Sequence, residues 1–426
     1  MSNCLKCPTL PAKVTRETTG MKTVLLGATL ALAFTMGESS VAAPDEVRAL
    51  WVQRATLNSS ESITRMVSTA SSNGFNTIFV QIRERGDAYF NSGVEERASS
   101  LTGTPEDFDP LGETIARARS VGLSVHAWVV VNLVSSATDL PASSDHVIYQ
   151  RPNWLMVPRA IAPELMKINF SNPEYLGLLT RWTRANAERI EGLYLSPINP
   201  DALTYTTQVV EDLVTRYDVD GVHLDYVRYP SNNFDYSKYA VEKFKAEVRS
   251  IISPDERARV DKLESIDPFA YPENFPNQWK QMRMAQLTAL IARLSNAIHR
   301  IRPSALVSVA VTPDYTDALE NTLQDWRTWV DNGFIDSLCP MVYTIDAEIF
   351  AKQIKEIRAL TPNSQLWAGI GAYRLSPRQT LENINTAKEL GANGIILFSY
   401  DDLAGPSNDS NYLAVIARAF AHEGDE

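Results

Sequence analysis

Eight apolar runs rich in Val, Ile and Leu, most of them separated by stretches of helical periodicity, constrain this chain more than any other feature. They span 47–53, 77–82, 124–131, 221–226, 306–311, 337–343, 366–373 and 394–400. Helical patterns lie at 62–72, 111–120, 278–301, 324–332, 350–360 and 377–389, and a last one at 411–422. Continuous apolar runs alternating with helices specify a parallel sheet covered on both faces. Eight of them specify an α/β fold, a (β/α)8 TIM barrel, and a chain of 426 residues suits that fold with enlarged loops. The alternative is a doubly wound open sheet. It would need a phosphate-binding turn, and no Gly-rich loop follows any early run.

Two connections are oversized, 132–200 after the third run and 231–277 after the fourth. In a barrel both would stand at the C-terminal face and wall a groove. The second holds a helical stretch at 236–251. No internal repeat, linker or low-complexity stretch divides the chain after residue 43, so 44–426 reads as one domain.

Residues 1–43 read as a targeting segment. Met21-Lys22 is followed by an apolar stretch at 24–34, and Val41-Ala42-Ala43 precede Pro44. This is the pattern of a signal peptide cleaved near Ala43, with Met21 the more natural start. The stretch is too short for a comfortable membrane span. An exported protein, periplasmic or secreted, is expected. Cys4 and Cys7 would leave with the segment, and Cys339, alone in an apolar run, is expected in the core. The net charge of -11 leaves no basic stripe for nucleic acid.

The most telling short stretch is Asp218-Val-Asp-Gly-Val-His-Leu-Asp-Tyr-Val-Arg-Tyr-Pro230. An apolar run ends in Asp225, Tyr226 and Arg228. A carboxylate at the exit of a buried strand is costly unless it is hydrogen-bonded or used in chemistry. In a parallel barrel that exit is where catalysis sits. The other run ends offer Arg54, then Arg83, Glu84 and Asp87, then His126, Trp128 and Asn132, then Asp314, Tyr343, Tyr373, Tyr400 and Asp401. Carboxylates, amides and aromatics at one mouth suit a sugar: rings stack on pyranose C–H faces while Asp, Asn and Arg hold hydroxyls. Glycoside cleavage needs two carboxyl groups flanking the bond.

Asp225 is the first candidate, and its bland reading is a structural partner of Arg228 or Arg283. Asp314 and Glu84 are candidates for the second carboxylate. Asp314 follows the run beside that of Asp225, and Glu84 and Asp87 would face it across the mouth. Helix capping or an arginine partner is the competing reading for these acids, and capping for Asp401. His126 is either a core histidine or a substrate contact. His223, two residues before Asp225 on the same strand face, would orient that carboxylate or a sugar hydroxyl. Trp128, Trp279 and Tyr343 are stacking platforms or packing residues. Scattered histidines exclude a zinc cluster, no Gly-x-Ser-x-Gly elbow is present and no calcium loop is evident, so neither metal nor cofactor is expected.

Several segments together resemble a known family. They are Arg48-Ala-Leu-Trp-Val52, Gly74-Phe-Asn-Thr77, Gln81-Ile-Arg83 with Gly86-Asp-Ala88, Phe108-Asp-Pro-Leu111, Val125-His-Ala-Trp128, Asp220-Gly-Val-His-Leu-Asp225, Asp336 with Pro340-Met-Val-Tyr343, Gly369 to Arg374, and Phe398-Ser-Tyr400. In this order they resemble the glycosyl-hydrolase-like family of exported bacterial proteins described as like glycoside hydrolase family ten. The chain departs from it in carrying Ser196-Pro197 for Asp-Pro and in the charged Glu84-Arg85. The resemblance implies a (β/α)8 barrel that hydrolyses bacterial polysaccharide. One group within the family resembles enzymes that cut peptidoglycan glycan strands stripped of their peptides. The expectation is therefore a glycosidase acting on a β-linked glycan. A non-catalytic polysaccharide-binding barrel and a hydrolase of storage or exopolysaccharide are the alternatives.

Overall fold

The computed structural model describes residues 46–404 and 411–421. The proposed signal segment lies outside them. Among the described residues there are ten strands, β1 (Val47–Val52), β2 (Thr77–Arg83), β3 (Ser124–Val130), β4 (Leu133–Ser136), β5 (Gly192–Tyr194), β6 (Gly221–Asp225), β7 (Leu306–Val311), β8 (Ser337–Val342), β9 (Gln365–Ile370) and β10 (Gly394–Leu397). Eight of them close a parallel barrel in the order β1-β10-β9-β8-β7-β6-β3-β2. These are the eight runs of the sequence, in a TIM barrel with enlarged loops.

The runs become parallel strands because both faces are covered. Val222 and Leu224 join the apolar layer under the outer helices, with Leu290, Ile291 and Leu294 of the helix Pro276–Ile301. The alternate residues point inward, where Ala49, Trp51, Phe79, Trp128, Cys339, Trp367 and Ile396 fill the barrel. Several outer helices start at a cap residue followed by proline: Asp109-Pro110, Asn199-Pro200 and Ser376-Pro377. Each cap side chain accepts an amide of the first turn, and the proline supplies a preset φ where no N–H is needed.

The long connections carry structure of which the sequence pattern showed only the helical stretch at 236–251. Within 132–200, β4 pairs antiparallel with β5. Gly192 is required there, since a Cβ would lie 1.6 Å from the carbonyl oxygen of Ser135. The 231–277 connection forms the helices Lys238–Ile251, Pro254–Glu264 and Ala270–Asn274. Both connections pack on a second apolar core that includes Val157, Leu179, Phe244, Val248 and Trp279. Cys339 is free and buried.

Candidate active site

Asp225 is the last residue of β6, level with Val130 of β3. The next residue, Tyr226, has φ 53°, in the left-handed region that a non-glycine residue enters at a cost of order 1–3 kcal/mol. This bend brings the Tyr226 amide back to donate to Asp225 Oδ1 at 2.7 Å. Trp128 donates its indole N–H to Oδ2 at 3.0 Å. Asp225 is 7% exposed, and burial pushes its carboxyl pKa up against these two donors and the nearby Arg228.

Asp225 opens into a cavity of roughly 250 Å3 at the barrel mouth. Trp51, Trp128, Met341, Tyr343 and Phe398 give it apolar walls; Gln81, Arg54, Glu84 and Arg228 give it polar ones. Glu84 follows β2, and only β3 stands between β2 and β6, so it sits closer round the rim than the expected position across the mouth. It pairs with Arg54 at 2.7 Å and with Arg85 at 2.8 Å. Burial nonetheless raises its pKa, with the two arginines opposing.

Arg228 stacks over the Tyr226 ring at 4.6 Å and donates to Glu191 at 2.7 Å. Tyr194 donates to the other oxygen of Glu191 at 2.7 Å. Burial works against the Arg228 charge, but Tyr194, Glu191, Tyr226 and Asp225 together hold it cationic. The β4–β5 sheet thus fixes a cation beside Asp225. Tyr343 packs edge-on to Trp51, and Tyr373, 47% exposed, extends the aromatic wall onto the rim beside Tyr343 and Phe398.

Among the expected site residues, then, Arg54, Glu84, Trp128, Asp225, Tyr226, Arg228 and Tyr343 line the cavity. Others do not. Asp314 is exposed and caps the turn at Tyr315–Asp317, accepting from the Asp317 amide, so it is not placed as the second carboxylate. Arg83 is fully buried, paired with Glu95 at 2.7 Å and bonded to the carbonyls of Val130 and Val131. Asp87 accepts from the Arg85 amide within its own loop. His126 lies deep in the barrel against Phe79 and Trp367, and burial pushes its pKa down to about 3.

His223 is hydrogen-bonded away from Asp225. Its Nε2 accepts from the Trp51 indole at 3.2 Å and its Nδ1 meets Ser308 Oγ at 2.9 Å. Since an indole only donates, Nδ1 carries the proton, and the ring is a neutral prop under the pocket floor. Asn132 is buried and reaches the Arg228 carbonyl at 3.4 Å. Trp279 belongs to the second core beside Tyr236 and Phe244. Tyr400 is buried with its hydroxyl on Thr69 of an outer helix. Asp401 accepts from the Gln53 amide and the Thr56 hydroxyl, holding the turn after β1.

The site also contains residues the sequence did not single out. Trp51 and Phe398 line the cavity, and a period-two count back from Gln53 would have found Trp51. Glu191 carried no local signal, because its place depends on a pairing across 56 residues, from Ser136 to Gly192.

The chain is 22% identical over 333 residues to the glycosyl hydrolase DigH of Escherichia coli, covering 72% of this chain and 65% of that protein. It is 22% identical over 290 residues to the glycosyl hydrolase YngK of Bacillus subtilis, covering 63% of this chain and 46% of that protein. It therefore spans less than two thirds of either relative. Among solved structures, the PgaB (BpsB) glycoside hydrolase domain from Bordetella bronchiseptica superposes with a TM-score of 0.58 at 13% identity, covering 86% of this chain and 98% of that one. The β-amylase catalytic domain from Paenibacillus polymyxa does so with a TM-score of 0.59 at 10% identity, covering 90% and 99%. At these identities the structures show a shared barrel fold. The family model described as glycosyl hydrolase-like 10 matches residues 46–374, and the chain belongs to that family.

Proposed function

We propose that the protein is a glycoside hydrolase that cleaves a β-linked bacterial glycan outside the cytoplasm, with peptidoglycan glycan strands as its substrate. Asp225 is the general acid/base, and Glu84 is the second carboxylate. The observation that carries this reading is Asp225 itself: a buried carboxyl with a raised pKa, oriented by two donors, at a strand end in an aromatic-walled cavity that also contains Glu84. A raised pKa keeps a larger fraction of the acid protonated and able to donate to the leaving glycosidic oxygen. Glu84, flanked by two guanidinium groups, supplies the negative charge that an oxocarbenium-like transition state needs. The family and the names of the relatives support the reaction class.

The test is product release from purified peptidoglycan glycan strands without peptides, comparing wild type with Asp225→Asn by mass spectrometry. Short saccharides from wild type alone are expected. Full activity in Asp225→Asn would sink the assignment.

One observation favours a second reading. Both oxygens of Glu84 are already ion-paired. If that pairing is purely structural, one working carboxyl remains and the barrel binds polysaccharide without cutting it. Glycan retention by wild type with no new reducing ends from any polymer, β- and α-glucans included, would decide for it.

A further inference from the structure

The cavity at the mouth has two unlike sides. Arg54, Gln81 and Glu84 make one of them polar. The other is an apolar arc, with Ala310 of β7, Met341 of β8, Phe398 just after β10, and Trp51 of β1. The Trp51 indole N–H is already taken by His223. Between β8 and β10, β9 keeps to glycine at its end. A Cβ on Gly369 would lie 2.8 Å from the Trp51 ring, and one on Gly371 would lie 3.0 Å from the Tyr343 Cβ. The backbone there makes room for these two rings.

Tyr343, just after β8, carries the one polar side chain on this arc among the described residues. Its ring is set edge-on to Trp51 at 6.3 Å and against Phe398 at 5.5 Å. No described residue hydrogen-bonds its hydroxyl, which is open to the cavity. Burial, and then the charge of Asp225, hold the phenol well above its ordinary pKa, so it stays a neutral donor.

A fixed, neutral O–H donor set among apolar atoms is matched by a group with one acceptor and an apolar end. A sugar hydroxyl supplies the acceptor but lays its own O–H against apolar atoms. An ammonium brings only donors. An acetamido group brings a carbonyl for the donor and a methyl for Ala310, Met341 and Phe398.

We propose that Tyr343 is a specificity-determining residue, whose hydroxyl donates to the carbonyl of a 2-acetamido group on the sugar beside Asp225. The apolar arc takes the methyl, and the amide N–H is left to the polar side. The inference rests on the reading of the mouth as a glycosidase site. It narrows the substrate to N-acetylated glycans over plain or N-deacetylated ones.

The test is calorimetric binding of tetra-N-acetylchitotetraose and of cellotetraose to the full chain carrying Asp225→Asn, so that neither ligand is consumed. These β-1,4-linked tetramers differ only in bearing acetamido or hydroxyl at position 2. The N-acetylated tetramer should bind roughly tenfold more tightly, from one hydrogen bond and one buried methyl. Tyr343→Phe in the same background should weaken the N-acetylated tetramer alone, by roughly three- to tenfold. A residue that only packs would weaken both tetramers alike. Equal affinity for the two overturns the proposal, as does binding of neither at millimolar concentration. So does a preference undiminished by Tyr343→Phe, with thermal unfolding showing that the variant is folded. Hydrolysis of peptide-free glycan strands by wild type is read separately. Strands cut without a tetramer preference would sink this inference and leave the glycosidase reading. A preference that depends on Tyr343, with no cutting, would do the reverse.

Discussion

The indole N–H of Trp128 donates to Oδ2 of Asp225 at 3.0 Å, so the residue that walls the pocket also sets the chemistry of its carboxylate. This donor favours the charged form and opposes the upward push of burial. Trp128→Phe keeps most of the ring and removes the donor. The Asp225 pKa should rise further. If Asp225 is the acid, the basic limb of the pH–rate profile moves to higher pH, and kcat falls by roughly ten- to a hundredfold, as expected for a lost hydrogen bond to a charged group. A profile with an unmoved basic limb would dissociate Trp128 from the reaction.

Asp225 should also show itself in stability. Its folded-state pKa lies above that of an unfolded chain, with burial the main cause. Its contribution to stability is therefore complete below the ordinary carboxylate range, near pH 4, and is lost as pH rises through the folded value. Asp225→Asn removes this dependence. It also turns an amide N–H2 toward one of the two donors on the carboxylate, a cost of about 1 kcal/mol. The absolute change at neutral pH is thus a difference of similar terms, but its trend has one sign. The stability of Asn relative to Asp should improve between pH 4 and pH 7. Urea unfolding midpoints across that range check it, and a flat or falling difference contradicts the raised value.

The barrel was legible because strands buried on both faces read as continuous apolar runs, and Asp225 because a carboxylate ending such a run is conspicuous. The phase of the neighbouring strand was not. Counting by two from Gln81 puts Arg83 in the mouth and Glu84 outside. A register shift between Gln81 and Arg83 against β3 reverses this, turning Arg83 into the wall and Glu84 into the pocket. Tyr400 and Asp401 misled for a related reason. β10 ends at Leu397, so both lie in the short helix that follows, bonded to Thr69, Gln53 and Thr56 rather than to the mouth. Trp279 was misplaced because the first turn of the outer helix Pro276–Ile301 packs into the separate core built by the long connections, which no local pattern distinguishes from a site.

Arg83 and Glu95 give a third prediction. Their side chains are 1% and 0% exposed, and Tyr205 donates to the same carboxylate. Arg83→Met strands a buried charge and leaves the carbonyls of Val130 and Val131 without that donor. A loss of about 3–5 kcal/mol is expected. Arg83→Met/Glu95→Gln should recover part of it, because the unpaired charge is gone. The folded fraction of either variant should keep wild-type KM if Arg83 never meets substrate. A raised KM with unchanged stability would return Arg83 to the binding surface.

His126 gives the last prediction. The ring is 3% exposed, its Nδ1 has no partner among the described residues, and a Cβ on Gly221 would lie 2.3 Å from that atom. There is no room for a substrate and none for a counter-ion. Burial puts its pKa at about 3, below the value near 6.5 of an unfolded chain. The neutral ring therefore contributes stability that is complete above pH 6.5 and is lost as pH falls, because the unfolded chain takes up the proton first. The loss attributable to this one group approaches about 1.4 kcal/mol per pH unit below 6.5. His126→Phe, packed on Phe79 and Trp367, should flatten the acid side of the stability–pH curve by that slope while leaving kcat/KM at pH 7 close to wild type. An unchanged slope would mean that His126 is already charged in the fold. A large fall in kcat/KM at full stability would mean that it reaches the substrate after all.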